Sequence, residues 1–257
     1  ESKFEEFLKK MVFKIFPVCY LENFKDLKFR CENSILPKNP KFIFTSNAFD
    51  TNELFKMFIC LKIKNTKYFA GQHGGATPIW KYGIIDSYLF DHVDGFFNWG
   101  WKNDEKNYPS FLLPKLLNSK KQKKKKKKIS LMLRPMMHQT VTWDRYEESL
   151  QMFKKNAEFV KKSEKFEFYK KLFVRGYPQV SCKLNNHDNW KKYVKIDNYD
   201  DGNTSFNTYK DDCELNIFTC ESTGFFQLVN LNKPAIILFH SFDQDIKDIY
   251  KDDFKKL

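Results

Sequence analysis

The chain has 257 residues, 42% of them apolar and 28 of them phenylalanine, which suits one large or two small packed domains and excludes a disordered chain. No apolar run approaches the roughly 20 residues that cross a bilayer, and the opening residues, Glu1 to Glu6, contain no apolar signal core that would direct secretion. The net charge of +13 would ordinarily raise nucleic acid as a partner, but eight of those charges form one tract, Lys120, Lys121 and Lys123 to Lys128, leaving +5 elsewhere.

Phe, Leu and Val recur at helical spacing from Phe4 to Phe16, and Lys41 to Thr45 (KFIFT) reads as a short strand. Asn47 or Asp50 is placed to cap a helix over 51–61. Tyr68 to Ala70 is again strand-like. After it, Gly74-Gly75 frees the backbone for positive φ or a close approach, so KYFAGQHGGATP (67–78) reads as a strand ending in a sharp turn that displays His73. A helix is predicted over 84–92 and a strand over 95–98. Residues 102–128, rich in Lys, Asn and Ser with Pro109 and Pro114, have linker composition. They divide the chain into 1–101 and 129–257. The lysine tract reads as a solvated, self-repelling linker, with an electrostatic tether to phosphate or anionic lipid as the second reading.

Beyond the linker, ISLMLRP (129–135) has the pattern of a buried strand, 143–162 that of a long amphipathic helix, and LFVRGYP (172–178) that of another strand. The block ELNIFTCESTGFFQLVNLNKPAIILF (214–239) reads strand, tight turn, helix, short turn, strand, with Asn232-Lys233-Pro234 closing the helix. Strands alternating with helices imply parallel sheets with right-handed crossovers. The expected class is therefore α/β, with a Rossmann-like domain in the second half and part of another in the first.

Several residues could carry chemistry. The turn Glu221-Ser222-Thr223-Gly224 opens a helix directly after a strand, where unpaired N–H groups, the helix dipole and two hydroxyls could hold a phosphate; Ser and Thr are equally ordinary N-caps. Arg134 and Arg175 each fall at a predicted strand end, where ligands of open parallel sheets bind, and their planar guanidinium groups match phosphate or carboxylate oxygens. The run DHVD (91–94) fits no specific metal pattern, and the tryptophans of FFNWGWK (96–102) suit a core. Six cysteines are scattered without a C-x-x-C pair, the pattern of reduced thiols in a cytosolic protein and not of a structural zinc site.

The order of QHGG (72–75), an acidic residue before WGW (Asp94, then Trp99-Gly100-Trp101), a strand-ending Arg175 and S-T-x-F-x-x-L-x-x-N-x-P (222–234) resembles the transferases encoded in O-antigen and other surface-carbohydrate loci. These are relatives of the two-domain GT-B glycosyltransferases, and the likeness extends from about Lys41 to Phe239. It implies two Rossmann-like domains, the C-terminal one holding a nucleotide-activated sugar as substrate without a further cofactor or metal, with a carbohydrate or lipid-linked glycan as acceptor. Transferred to matching positions, Ser222 and Thr223 bind donor phosphate, with Gln72, Gly74, Gly75, Arg134, Arg175, Glu221, Gly224 and Gln227 around the nucleotide sugar. His73 is the first choice for the group that deprotonates the acceptor, and Asp94 the second. Gln227 stands where many relatives carry a glutamate. Few elements precede QHGG, so the N-terminal domain is expected to be incomplete. The implied setting is cytoplasmic, with peripheral membrane contact through the lysine tract and no specific nucleic acid. The alternatives are a nucleic-acid-binding basic protein, a nucleotide-binding relative without catalysis, and a nucleotide-sugar epimerase.

Overall fold

A computed structural model describes residues 2–75, 79–81, 89–100, 128–134, 149–177, 187–193, 198–239 and 246–256. The chain divides into two compact units, Glu1–His73 with Ser87–Phe111, and Gly74–Asp86 with Leu112–Leu257.

In the first unit, α1 (Lys3–Ile15) is opened by a capping box: Ser2 Oγ accepts from the Glu5 N–H, and Glu5 Oε2 accepts from the Ser2 N–H at 2.7 Å. A short helix, α2 (Phe24–Glu32), precedes strand β1 (Phe42–Thr45). The one-turn α3 (Ala48–Thr51) and then α4 (Glu53–Lys62) lead to β2 (Lys67–Gly71) and β3 (Gly95–Phe97). The three strands are parallel in the order β1-β2-β3. Ile43 and Tyr68 point to the face covered by α2 and α4, where Leu27, Met57 and Phe58 complete a core. On the same side of the sheet, Ala70 and Phe96 pack against Leu89, in a helical stretch over 89–92.

The helix before β2 differs from expectation in its start. Asn52, not Asn47 or Asp50, caps α4, its Oδ1 accepting from the Phe55 N–H at 3.0 Å. Asn47 does open α3, but its side chain makes no capping bond. The reason is local: Thr45 Oγ1 already accepts from the N–H groups of Asn47 and Ala48, which turns the chain once before the longer helix begins.

In the second unit, β4 (Lys128–Met132), β5 (Leu172–Arg175), β6 (Tyr199–Asp200), β7 (Cys213–Phe218) and β8 (Ala235–Ile237) form a wholly parallel sheet in the order β6-β5-β4-β7-β8. Counted within the unit this is 3-2-1-4-5, the doubly wound arrangement, with its order reversing between β4 and β7. Helix α5 (Ser149–Ser163) covers one face with Met152, Phe153, Ala157 and Val160 against Leu131, Leu172 and Val174. The remaining helices among the described residues are α6 (His187–Tyr193), α7 (Phe206–Asp212), α8 (Thr223–Asn230) and α9 (Asp248–Lys256). The linker composition runs one residue too far: Lys128 is already the first residue of β4, with its Nζ 4.3 Å over the ring of Phe173. The expected elements over 82–88, 102–127, 135 and 143–148, and Trp101, lie outside the described residues. The protein is thus α/β, with parallel, Rossmann-like sheets. No helix among the described residues is long and apolar enough to cross a membrane.

Asp94, just before β3, holds β2 and β3 of the first unit in register. Its Oδ1 accepts from Lys67 Nζ at 2.6 Å and its Oδ2 from the Tyr68 N–H at 2.8 Å. The Lys67 hydrogen bond, with the Tyr68 amide behind it, lowers the carboxyl pKa below its ordinary value. A depressed folded-state pKa gives stability that is present above the unfolded value, ~3.9 for aspartate, and lost as pH falls through the folded one. Asp94→Asn is therefore expected to cost about 1 kcal/mol at neutral pH in urea unfolding, a difference that disappears in strongly acidic buffer.

Candidate active site

The carboxyl ends of β4, β5 and β7 open into a crevice of about 570 Å³. Its floor is Met132, Leu133 and Phe218, its walls are the loop 202–205 and Gly176-Tyr177, and its head is Ser222, Thr223 and Gly224 at the start of α8, with Gln227 one turn in. It lies where the strand order reverses, the place at which open α/β sheets take ligands. Thr219 joins the two central strand ends: its Oγ1 donates to the Met132 carbonyl at 3.2 Å and accepts from the Arg134 N–H at 3.0 Å.

At the head of the crevice Ser222 is the N-cap of α8, its Oγ accepting from the Phe225 N–H at 3.3 Å. Its carbonyl accepts from the N–H groups of Phe225 and Phe226. The amides of Thr223 and Gly224, in the first turn, have no partner within the helix and sit on the crevice wall at the positive end of the dipole. Gly224 has a structural reason: a Cβ there would stand 3.1 Å from the Phe206 ring and 3.2 Å from that of Phe218.

Arg175 lines the crevice, but its guanidinium is turned onto the loop. Nη1 donates to Asp200 Oδ2 at 2.8 Å, Nη2 donates to the carbonyls of Gly202 and Thr204 at 3.1 and 2.6 Å, and the Tyr209 ring stacks on it at 4.7 Å. The residue is 8% exposed. Asp200 Oδ1 accepts from the Gly202 N–H, and Gly202 takes a φ of 90°, so the loop is fixed from both sides. Arg134 does not line the crevice; its Nη1 reaches Met152 Sδ at 3.5 Å. Glu221 is buried, and its Oε1 accepts from Trp80 Nε1 at 2.6 Å.

Gln227 is 3% exposed and belongs to a polar chain that sequence reasoning missed. Lys210, also buried, donates from Nζ to Asn207 Oδ1 at 3.0 Å, and Gln227 Nε2 approaches the same oxygen at 3.5 Å. Burial lowers the Lys210 pKa, opposed by neighbouring Asp211, which also pairs with Lys233. An ammonium can only donate, so it fixes which end of Asn207 faces it. That in turn presents the amide nitrogen of Gln227 to Asn207 and leaves its Oε1 as an acceptor. The signal for this chain was N-x-x-K in a helix preceding β7, a pattern too common to single out.

The residues of QHGG part company. Gln72, buried in the first unit, donates its N–H to the Phe97 carbonyl and accepts the Trp99 N–H on Oε1 at 2.9 Å. That amide therefore ties QHGG to WGW, where Asn98 Oδ1 takes the Gly100 N–H and Gly100 adopts a φ of 109°. His73 is exposed at the end of the first unit. Neither Gly74 nor Gly75 has positive φ. A Cβ on Gly74 would meet nothing within 4 Å, whereas one on Gly75 would stand 2.4 Å from the Glu221 carbonyl and 2.8 Å from Ser222 C and the Phe226 ring. Close approach, not turn geometry, requires Gly75, and the backbone it approaches is the turn that heads the crevice. Asp94, engaged by Lys67 and Tyr68, stands as a clamp between strands.

The whole chain, residues 1–257, matches the family model for LIC12162 family transferases. No curated protein matches it.

Gly75→Ala is expected to cost about 1–3 kcal/mol in chemical denaturation by overpacking the 221–222 backbone, while Gly74→Ala leaves stability within about 0.5 kcal/mol of the parent. Arg175→Ala should raise amide hydrogen exchange across 200–205 by more than tenfold, measured by mass spectrometry, because the loop then loses about 2 kcal/mol or more of charged hydrogen bonds.

Proposed function

The chain belongs to the LIC12162 transferase family, and on that footing we propose that it transfers a glycosyl group from a nucleotide-activated sugar to a carbohydrate acceptor of a surface polysaccharide, with the GT-B division of labour between two Rossmann-like domains. The observation that carries this reading is the crevice at the switch point of the 3-2-1-4-5 sheet, headed by the capped first turn of α8. A pyrophosphate at that turn receives the Thr223 and Gly224 N–H groups, the Thr223 hydroxyl and the helix dipole. All of these gain strength as negative charge grows on the departing phosphate oxygen, which is when such donors accelerate a reaction.

The rest of the donor follows from the crevice lining. The Gln227 Oε1 is an acceptor and suits a hydroxyl of the ribose or sugar, not a phosphate oxygen. Phe206 and Tyr177 offer aromatic surface for a base or sugar ring, and the loop 202–205 that Arg175 fixes offers backbone groups for selecting it. In this reading Arg175, Arg134 and Glu221 shape the site and do not touch the donor. In the transfer itself the bond from the anomeric carbon to the phosphate oxygen breaks, a bond to the acceptor oxygen forms, and the acceptor's proton passes to His73. The imidazole is solvent-exposed, and a ring nitrogen can accept the proton. Asp94, held ionised between Lys67 and Tyr68, is the weaker base.

Thermal denaturation with CMP, CDP, UDP, GDP and TDP tests the donor site: the matching nucleotide, at ~100 times its dissociation constant, should stabilise the chain by about 2.7 kcal/mol. Thr223→Val, which removes the hydroxyl, should weaken that nucleotide about tenfold. His73→Ala should abolish transfer and leave nucleotide affinity unchanged. Transfer at the parental rate would remove His73 from the mechanism, and indifference to all five nucleotides would remove the donor site.

A further inference from the structure

The sheet of the first unit has a second face. β1, β2 and β3 turn Phe42, Phe44, Phe69 and Phe97 to the side opposite α2 and α4, and these four rings alone line a hollow of about 430 Å³. Phe42 and Phe44 are 65% and 54% exposed. The rings lean over glycines: a Cβ on Gly71 would stand 2.7 Å from Phe44, and one on Gly95 would stand 3.1 Å from Phe69. Among the described residues no helix covers this face, although parallel sheets are ordinarily covered on both sides.

The same unit carries an element with the opposite deficiency. Helix α1 has no buried residue. Phe4, Phe7, Leu8, Met11, Val12 and Ile15 fall within one arc of its circumference at 100° per residue, with lysines, glutamates and the exposed Phe13 around the rest. Phe4 is 67% exposed. A helix of 13 residues is marginal in water even with a good cap, and its apolar face ordinarily supplies the missing stability by packing.

We propose that the phenylalanine-lined face of the β1-β2-β3 sheet is the docking surface for α1 of a second copy of this chain, in a reciprocal two-fold dimer. Each copy holds both halves of the contact, a groove without a helix and a helix without a groove among the described residues, so one rotation satisfies both at once. Large apolar side chains bury on the order of 150–250 Å² each. Ten such side chains per contact, each about half exposed in the free chain, made twice, bring the total to on the order of 2,000 Å², the size of stable homodimers. A bilayer is the other occupant that apolar surface suggests, but the hollow is concave and takes a ridge of side chains better than a lipid plane. The polar side of α1 also mixes Glu5 and Glu6 with its lysines, where a helix built for anionic lipid carries mainly basic residues.

The proposal is independent of the transfer reaction and is tested on the full chain by sedimentation velocity across a dilution series, with and without vesicles of phosphatidylcholine and phosphatidylglycerol. Phe44→Glu on the sheet and Leu8→Glu on the helix lie at exposed positions and should keep the parental circular dichroism and unfolding midpoint measured at dilutions where all three chains are monomers. Each should weaken the dimer on the order of a hundredfold, since it places a carboxylate in an apolar contact. Phe29→Glu, exposed on α2 on the other side of the sheet, should leave the dimer intact. A parent that stays monomeric at every concentration overturns the proposal, as does a dimer indifferent to either substitution. A monomer that sediments with vesicles and loses this with Leu8→Glu overturns it in favour of a membrane surface.

Discussion

The second unit depends on one cross-strand pair. Ser130 of β4 and Asn216 of β7 are direct neighbours in the ladder, both essentially without solvent exposure, and the serine Oγ donates to the asparagine Oδ1 at 2.9 Å. A slip of one residue would turn both polar groups to opposite faces and leave each buried without its partner, at about 1–3 kcal/mol apiece. The pair therefore fixes how far the two central strands extend relative to each other. Thr219 repeats the lock three positions further along, at the strand ends. Because the order of the sheet reverses between these strands, the same lock sets the mouth of the crevice.

Above that lock, the local sequence does conventional work. The S-T-G turn is an N-cap whose serine is consumed by the Phe225 amide, which leaves the threonine side chain and the first two helical amides facing the crevice. Asn232, with a φ of 51°, reverses the chain at the far end of α8, and the Lys233–Asp211 pair ties that reversal to α7. Helix α8 is thus held at both ends, and its dipolar tip has a fixed aim.

Much of this could be read in the residues. The alternation of strands and helices from Ile129 onward, the strand end at Arg175 and the strand–turn–helix–strand block at 214–239 follow from burial periodicity and capping chemistry, which are local. What could not be read is where polar side chains with several possible partners would turn. Arg175 has the geometry for a phosphate and also for three acceptors on one loop, and the choice depends on Asp200, Gly202 and Thr204 returning beside it. Gly75 looked like a turn glycine, yet its constraint comes from a backbone about 146 positions away. Gln72 and WGW were recognisable as a recurring pair, but the reason, one amide receiving the Trp99 N–H, needs the register of β2 and β3. Elements missed outright, such as α2, α6, α7 and the two-residue β6, are short or rich in charge, so their periodicity is weak.

The way Arg175 holds its loop bears on how such a site can diversify. The guanidinium grips the carbonyl oxygens of Gly202 and Thr204, groups that any amino acid supplies, and needs one particular side chain, Asp200, at the loop's root. The path of the rim is thereby insulated from the identity of residue 205, whereas Asp201 and Asn203 add side-chain hydrogen bonds of their own. A substitution at 205 repaints the lining of the crevice while the scaffold beneath keeps its contour.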